Sequence, residues 1–197
     1  MRRRMALTGA ATGLVAAAGI WALQGGPVRY GVVAQVAVAA DSSPDAAYRL
    51  ERVAIVTSTG RRIECTLRRP VPPPAPHSRI GVVLSGGIET GRRAALLVAR
   101  EFDGLVLSCD YPWRDPMRLS ALRFLLTLPA IRRDALATPD ALCVAADYLL
   151  SRTEVDTTRL AAGGASLGVP PVSAWAGRDR RAAAVALVMV CPVNWLR

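Results

Sequence analysis

Apolar and polar positions divide the chain into strand-like and helix-like stretches that alternate from residue 48 onward. Leu50 to Thr57 reads as a strand, Ser58-Thr59-Gly60 as a turn, and Arg62 to Leu67 as its partner, with Ile63, Cys65 and Leu67 on one face. Pro70 to Pro76 is a stiff extended loop. Ile80 to Leu84 is a short apolar run suited to a buried strand. Ser85-Gly86-Gly87-Ile88 follows, and then a helix from about Arg92 to Phe102. Leu105 to Ser108 is a fourth strand. Leu119 to Leu128 forms a short apolar helix that ends at Pro129, and Thr138-Pro139-Asp140 opens another as cap and first turn. Leu142, Ala145, Ala146 and Leu149 give that helix its buried face. Leu160 to Ala162 is a fifth strand, Pro170 and Pro171 sit in the first turns of a helix, and Ala184 to Val190 is a sixth strand. Short apolar strands alternating with helices predict an α/β domain with a mostly parallel sheet and flanking helices.

The first part of the chain has a different pattern. Arg2, Arg3 and Arg4 precede an uncharged stretch, Ala6 to Leu23, rich in Ala and Gly. As a helix it would be roughly 27 Å long, close to the thickness of a bilayer core. Residues 1–40 are therefore expected to be a signal peptide or a membrane anchor, 41–47 a polar linker and 48–197 the folded domain. Ala37-Val38-Ala39 is an A-x-A cleavage site, and the basic end would stay inside, placing the remainder beyond the cytoplasmic membrane.

Length and charge then narrow the classes. A chain of 197 residues, 52% hydrophobic, has room for one domain with a real core. Its net charge of +10 raises the question of nucleic acid. All its basic residues are arginine, scattered as pairs such as 61 and 62 or 132 and 133, and aromatics are sparse, so no nucleic-acid-binding stripe forms. Cys65, Cys109, Cys143 and Cys191 show no CxxC spacing and only one histidine accompanies them, which argues against a metal site. Because they fall in apolar runs, buried free thiols are expected.

The chemistry concentrates in Gly164-Ala165-Ser166-Leu167-Gly168, a GxSxG pattern between a strand and a helix. Glycines at 164 and 168 remove side chains where a sharp turn brings backbone against backbone, leaving Ser166 at the tip. The N–H of Leu167, at the start of the next helix, points to where a tetrahedral oxyanion would form. Two competing patterns fit poorly. Gly163 to Gly168 can be set on the dinucleotide fingerprint GxGxxG, but Ala165 occupies a required glycine position and no acidic residue follows the next strand. Gly86 to Gly91 has P-loop spacing, but Arg92 and Arg93 stand where Lys and Ser or Thr are needed.

With Val155-Asp156-Thr157-Thr158-Arg159-Leu160 leading into it, the GxSxG stretch resembles the nucleophile elbow of α/β-hydrolases, especially dienelactone-hydrolase-like and acetyl-esterase-like members. Cys109-Asp110-Tyr111-Pro112-Trp113-Arg114 resembles their PDYRG segment, in which the Asp is structural. Ser85-Gly86-Gly87 stands where they often have HGG. The resemblance implies Ser166 as nucleophile, the Leu167 N–H as one oxyanion donor and the backbone at Gly87 or Ile88 as the second, with no cofactor. It further implies a serine hydrolase acting on small carboxylic esters.

The resemblance runs from about Tyr48 to Asn194, and the rest of a triad is not in it. In the family the acid and the histidine follow later strands. The only histidine here, His77, precedes Ile80 and so lies at the wrong edge of a parallel sheet, roughly 17–20 Å from the reactive edge. A serine-to-base hydrogen bond needs about 3 Å. Asn194 is an amide, and the chain has no lysine. The expectation is the N-terminal part of a longer hydrolase, its sheet incomplete after the sixth strand and its open edge facing a missing C-terminal half or a partner chain. It would have little or no activity alone. The other reading is a non-catalytic pseudo-hydrolase, tethered to the membrane through residues 6–23, that binds a partner by that edge.

Overall fold

The computed structural model describes residues 28–87, 90–112 and 120–188, together with Gly19. The uncharged stretch 6–23, Gly19 apart, lies outside the described residues, as do Ile88 and Asn194. Among the described residues no helix is long and apolar enough to cross a membrane.

Seven strands form one sheet in the order β1-β2-β3-β5-β4-β6-β7. They are β1 (Val33–Asp41), β2 (Tyr48–Thr57), β3 (Arg62–Pro70), β4 (Arg79–Ser85), β5 (Leu105–Cys109), β6 (Val155–Ala165) and β7 (Ala182–Val188). β1, β2 and β3 are antiparallel and β3 joins β5 antiparallel, whereas β5, β4, β6 and β7 run parallel. The β2–β3 hairpin forms where the alternation predicted it, and Gly60 supplies the positive φ of +75° that its turn needs. The core lies where β2, β3, β4, β5 and β6 meet a long helix. Val53, Ile55, Leu67, Leu105, Leu107 and Leu160 are fully buried. From α1 (Ala121–Leu150), Leu142, Ala145, Ala146 and Leu149 pack onto them, the face expected from periodicity.

Four expectations change. The folded part begins before residue 48, because β1 pairs along β2, with Val38 opposite Val53. Ala37-Val38-Ala39 thus lies inside a strand. Upstream of it Tyr30 is buried, its N–H donating to an Asp140 carboxylate oxygen at 2.6 Å and its carbonyl accepting from the Thr59 hydroxyl. The helices expected on either side of Pro129 and Pro139 are one helix. A proline inside a helix forfeits a backbone bond, at about 3 kcal/mol, so tertiary support must outweigh propensity. Thr138 therefore does not cap a helix, and its hydroxyl donates back to the Asp134 carbonyl at 3.0 Å.

The helix expected from Arg92 to Phe102 is a 3-10 helix, Gly91–Leu97, that stops short. The reason is Arg68, which is only 1% exposed. A buried guanidinium needs acceptors, and it donates to the carbonyls of Val98, Ala99 and Arg100 at 2.7, 2.8 and 3.0 Å, while stacking on the Tyr48 ring. Those carbonyls are turned to the cation and cannot continue a helix. Finally, Cys65 and Cys109 are not free thiols. They face each other across β3 and β5 and form a disulfide. Cys143 is the free thiol among the described residues, and burial pushes it up to about 11.

Two outcomes follow from these contacts. Cross-linking residues 44 apart in sequence removes loop entropy worth at most about 4 kcal/mol from the unfolded chain. Reduction is expected to lower the unfolding free energy by about 2–4 kcal/mol in urea titrations, with Cys65 and Cys109 alkylated only after reduction. The second outcome concerns α2 (Val169–Ala176), whose end is held by Asp179. This carboxylate accepts from Trp175 Nε1 at 3.0 Å and from Arg181, which also reaches Asp147. The Arg181 hydrogen bonds hold Asp179 far below the usual carboxylate range. A depressed pKa contributes stability that is present above the unfolded value, about 3.9, and is lost as pH falls towards the folded one. Asp179→Asn should cost about 1–2 kcal/mol at pH 7, allowing for solvent screening of half-exposed Arg181. The difference from the parent chain should shrink steadily below about pH 4 in denaturation measured across pH.

Candidate functional site

The turn after β6 is where the sheet meets α2. Ser166 has φ +52°, a left-handed backbone that a residue with a Cβ adopts at a cost of about 1–2 kcal/mol. Its neighbours explain why the turn holds. A β-carbon on Gly164 would lie 2.9 Å from the Gly168 carbonyl oxygen, and one on Gly168 would lie 2.0 Å from the Ser85 carbonyl oxygen. Both positions exclude any side chain, as GxSxG spacing led us to expect. Ser166 to Gly168 form one 3-10 turn, the N–H of Val169 donates to the Ser166 carbonyl, and Pro170 and Pro171 follow in the first turn of α2. Ser166 is exposed at the tip. Leu167 stands at this helix start, where backbone N–H groups lack intrahelical acceptors.

The loop after β4 comes against the same serine. A β-carbon on Gly87 would lie 3.6 Å from Cβ and 3.8 Å from Oγ of Ser166, so Gly87 presents bare backbone to it. Of the four sequence-derived site residues, the structure brings Ser166, Leu167 and Gly87 together, and the fourth, Ile88, is outside the described residues. Several groups fix the loop. The Gly87 carbonyl accepts from the N–H and the hydroxyl of Thr90 and from the Gly91 N–H, while the Tyr111 hydroxyl donates to the Gly86 carbonyl. Asp110 accepts the Arg92 N–H at 2.8 Å, and its side chain pairs with the Arg92 guanidinium. Thr90 was not legible in the sequence, since it belongs to no spacing pattern, and although Tyr111 lies in the PDYRG-like segment, its bond to the Gly86 carbonyl was not, because that carbonyl is brought near only by folding.

The other readings of these loops find little support. A P-loop would present free amides to phosphate, but the N–H groups of Thr90, Gly91, Arg92 and Arg93 are bonded within the chain, one of them to a carboxylate. His77 lies before β4, its N–H donating to the Thr153 carbonyl and its ring Nδ1 3.2 Å from the Val155 carbonyl oxygen. Ser166 follows β6 at the other edge, and the seven residues of β4 separate the two by roughly 20 Å. No proton passes directly between them. Among the described residues no three His, Cys, Asp or Glu side chains gather where they could hold a metal ion.

The strain at Ser166 is measurable. Ser166→Gly relieves it and Ser166→Ala keeps it, so the glycine variant should be more stable than the alanine variant by about 1 kcal/mol. Paired urea or thermal unfolding checks this, and equal stability would mean that the turn is not strained in solution.

No family model and no curated protein matches the sequence. Solved structures do. An acetyl xylan esterase from Paenibacillus sp. R4 is 21% identical with a TM-score of 0.56, over 77% of this chain and 52% of its own. A glucuronoyl esterase from Solibacter usitatus is 15% identical with a TM-score of 0.55, over 82% and 53%. A dienelactone hydrolase-like promiscuous phosphotriesterase from metagenomic libraries is 21% identical with a TM-score of 0.52, over 73% and 59%. The chain thus spans about half the length of the two esterases, and at these identities the likeness is one of fold. Together with the strand order and the glycine-flanked serine turn, it gives the chain an α/β-hydrolase-type fold over the part described.

Proposed function

We propose that this chain carries the nucleophile side of a serine ester hydrolase. Ser166 attacks the acyl carbon of a small carboxylic ester, and the N–H of Leu167 with a donor at Gly87 or Ile88 holds the oxyanion. The observation that carries this reading is Ser166 at φ +52° on a glycine-locked strand-to-helix turn, facing Gly87 across a gap that a β-carbon on Gly87 would fill to 3.6 Å from the serine Cβ. Strain of this kind persists only where the surroundings impose it, and it collects at functional sites. That the similar structures include proteins described as esterases supports the same chemistry. A serine hydroxyl needs a neighbouring base, and His77 is at the far edge of the sheet. The base and its orienting acid would therefore come from residues outside this chain, and the chain alone would turn over no ester.

β7 supports the need for a further polypeptide. It stands at the sheet edge with Val185, Leu187 and Val188 about half exposed, a surface that proteins normally cover. The same observation favours the second reading, a pseudo-hydrolase that uses this edge only to bind. Export is part of the proposal. The Cys65–Cys109 disulfide suits an oxidising compartment, and residues 6–23 would be the targeting segment. Cleavage after Ala39 would sever β1 from the sheet, so an uncleaved anchor, or cleavage further upstream, fits the fold better.

Fluorophosphonate labelling followed by intact-mass analysis separates the two readings. Without a base the full chain should label slowly. Added imidazole, a diffusible substitute for the histidine, should accelerate labelling at least tenfold, and Ser166→Ala should abolish the acceleration. Failure of imidazole to accelerate labelling of the folded chain would overturn the nucleophile assignment in favour of the binding-only reading.

A further inference from the structure

Beside the candidate nucleophile a groove of about 520 Å³ opens between α1 and α2. One wall is a stripe at spacings of three and four that runs from the 3-10 turn through α2 to just past its end: Leu167, Pro170, Ala174 and Arg178. Its α1 wall includes Leu136 and Pro139. The volume falls within the roughly 300–1,000 Å³ of small-molecule sites. The groove is lined by apolar groups, with large side chains left in water at its mouth, since Leu136 is 46% exposed and Leu167 41%. Among the described lining residues the charged one is Arg178, at the far end, where its Nε donates to the Ala174 carbonyl at 3.2 Å. At 1.5 Å per residue the stripe from Leu167 to Arg178 is roughly 16 Å long.

We propose that this groove is the acyl-chain site and that the chain's substrates are esters of unbranched, medium-length fatty acids. The proposal rests on Ser166 being the nucleophile. Continuity with the site sets the occupant, because Leu167, next in sequence to Ser166, lines the groove. Its N–H would hold the oxyanion while its side chain forms part of the groove wall, so the acyl group of an ester attacked by Ser166 would have an apolar surface within reach. A sugar or other polyhydroxylated group would find no hydroxyl or carboxylate side chain among the described lining residues to replace its water. Arg178, tied through Nε to the Ala174 carbonyl, stands at the far end of the groove and would limit the length of chain accepted. Among the described residues nothing covers this apolar stripe, and a bound alkyl chain would.

The test is binding of butyrate, hexanoate, octanoate and decanoate to the full-length Ser166→Ala chain by calorimetry. A groove that buries the chain predicts affinity rising roughly three- to fourfold per added methylene. Ala174→Trp fills the channel from an exposed position and leaves the core untouched. It should weaken decanoate at least tenfold with an unchanged melting temperature. Affinity independent of chain length, or decanoate binding indifferent to Ala174→Trp, would overturn the proposal. A dimer that Ala174→Trp dissociates, with no effect on decanoate, would overturn it in favour of a second copy as the occupant. Because Ser166→Ala cannot be acylated, the result does not depend on the labelling experiment. Decanoate binding sensitive to Ala174→Trp alongside failed imidazole rescue would keep a fatty-acid site and remove the nucleophile.

Discussion

The geometry around Ser166 depends on one close approach, that of Gly168 to the carbonyl of Ser85. There is no room for a single carbon atom between the turn after β6 and the loop after β4. Any side chain at 168 would push the two loops apart, and with them Gly87 and Ser166. The strained serine backbone is thus not an isolated feature. It is the conformation left to residue 166 when the strand, the helix and the neighbouring loop are packed this tightly, and packed chain is stiff enough to impose it.

The loop after β4 is held with similar redundancy. Thr90, Gly91, Tyr111 and Asp110 each occupy one of its backbone groups or the start of the following 3-10 helix. Donors aimed at a developing charge are effective when they need not reorganise, and a loop whose carbonyls are already bonded cannot easily rotate its peptides. Further from the site the same economy recurs at Arg68, whose guanidinium collects three consecutive carbonyls and so ends the helix before them. At Arg68 a polar group buried by the fold dictates the backbone around it.

Both edge strands of the described sheet carry exposed apolar side chains, Val36 and Val38 on β1 and Val185, Leu187 and Val188 on β7, while the Cys65–Cys109 cross-link ties β3 to β5 further in. Ser166 lies at the end of β6, next to β7.

How much could be read beforehand depended on the range of the interaction. GxSxG places two glycines and a serine within five residues, so the elbow was legible in the sequence, as were the β2–β3 hairpin and the buried face Leu142, Ala145, Ala146 and Leu149. Local spacing also excluded His77, because its position before a parallel strand sets the edge it occupies. Residues distant in sequence were decided only by the fold. Cys65 and Cys109 became partners when the strand order set β5 beside β3, β1 became a strand when β2 offered it an edge, and α1, buried from Ala137 onward, runs as one helix through Pro129 and Pro139. By itself the sequence determined the fold class and the residue at the turn. Tertiary structure alone decided what that residue faces, since contacts across strands and loops have no signature in local spacing.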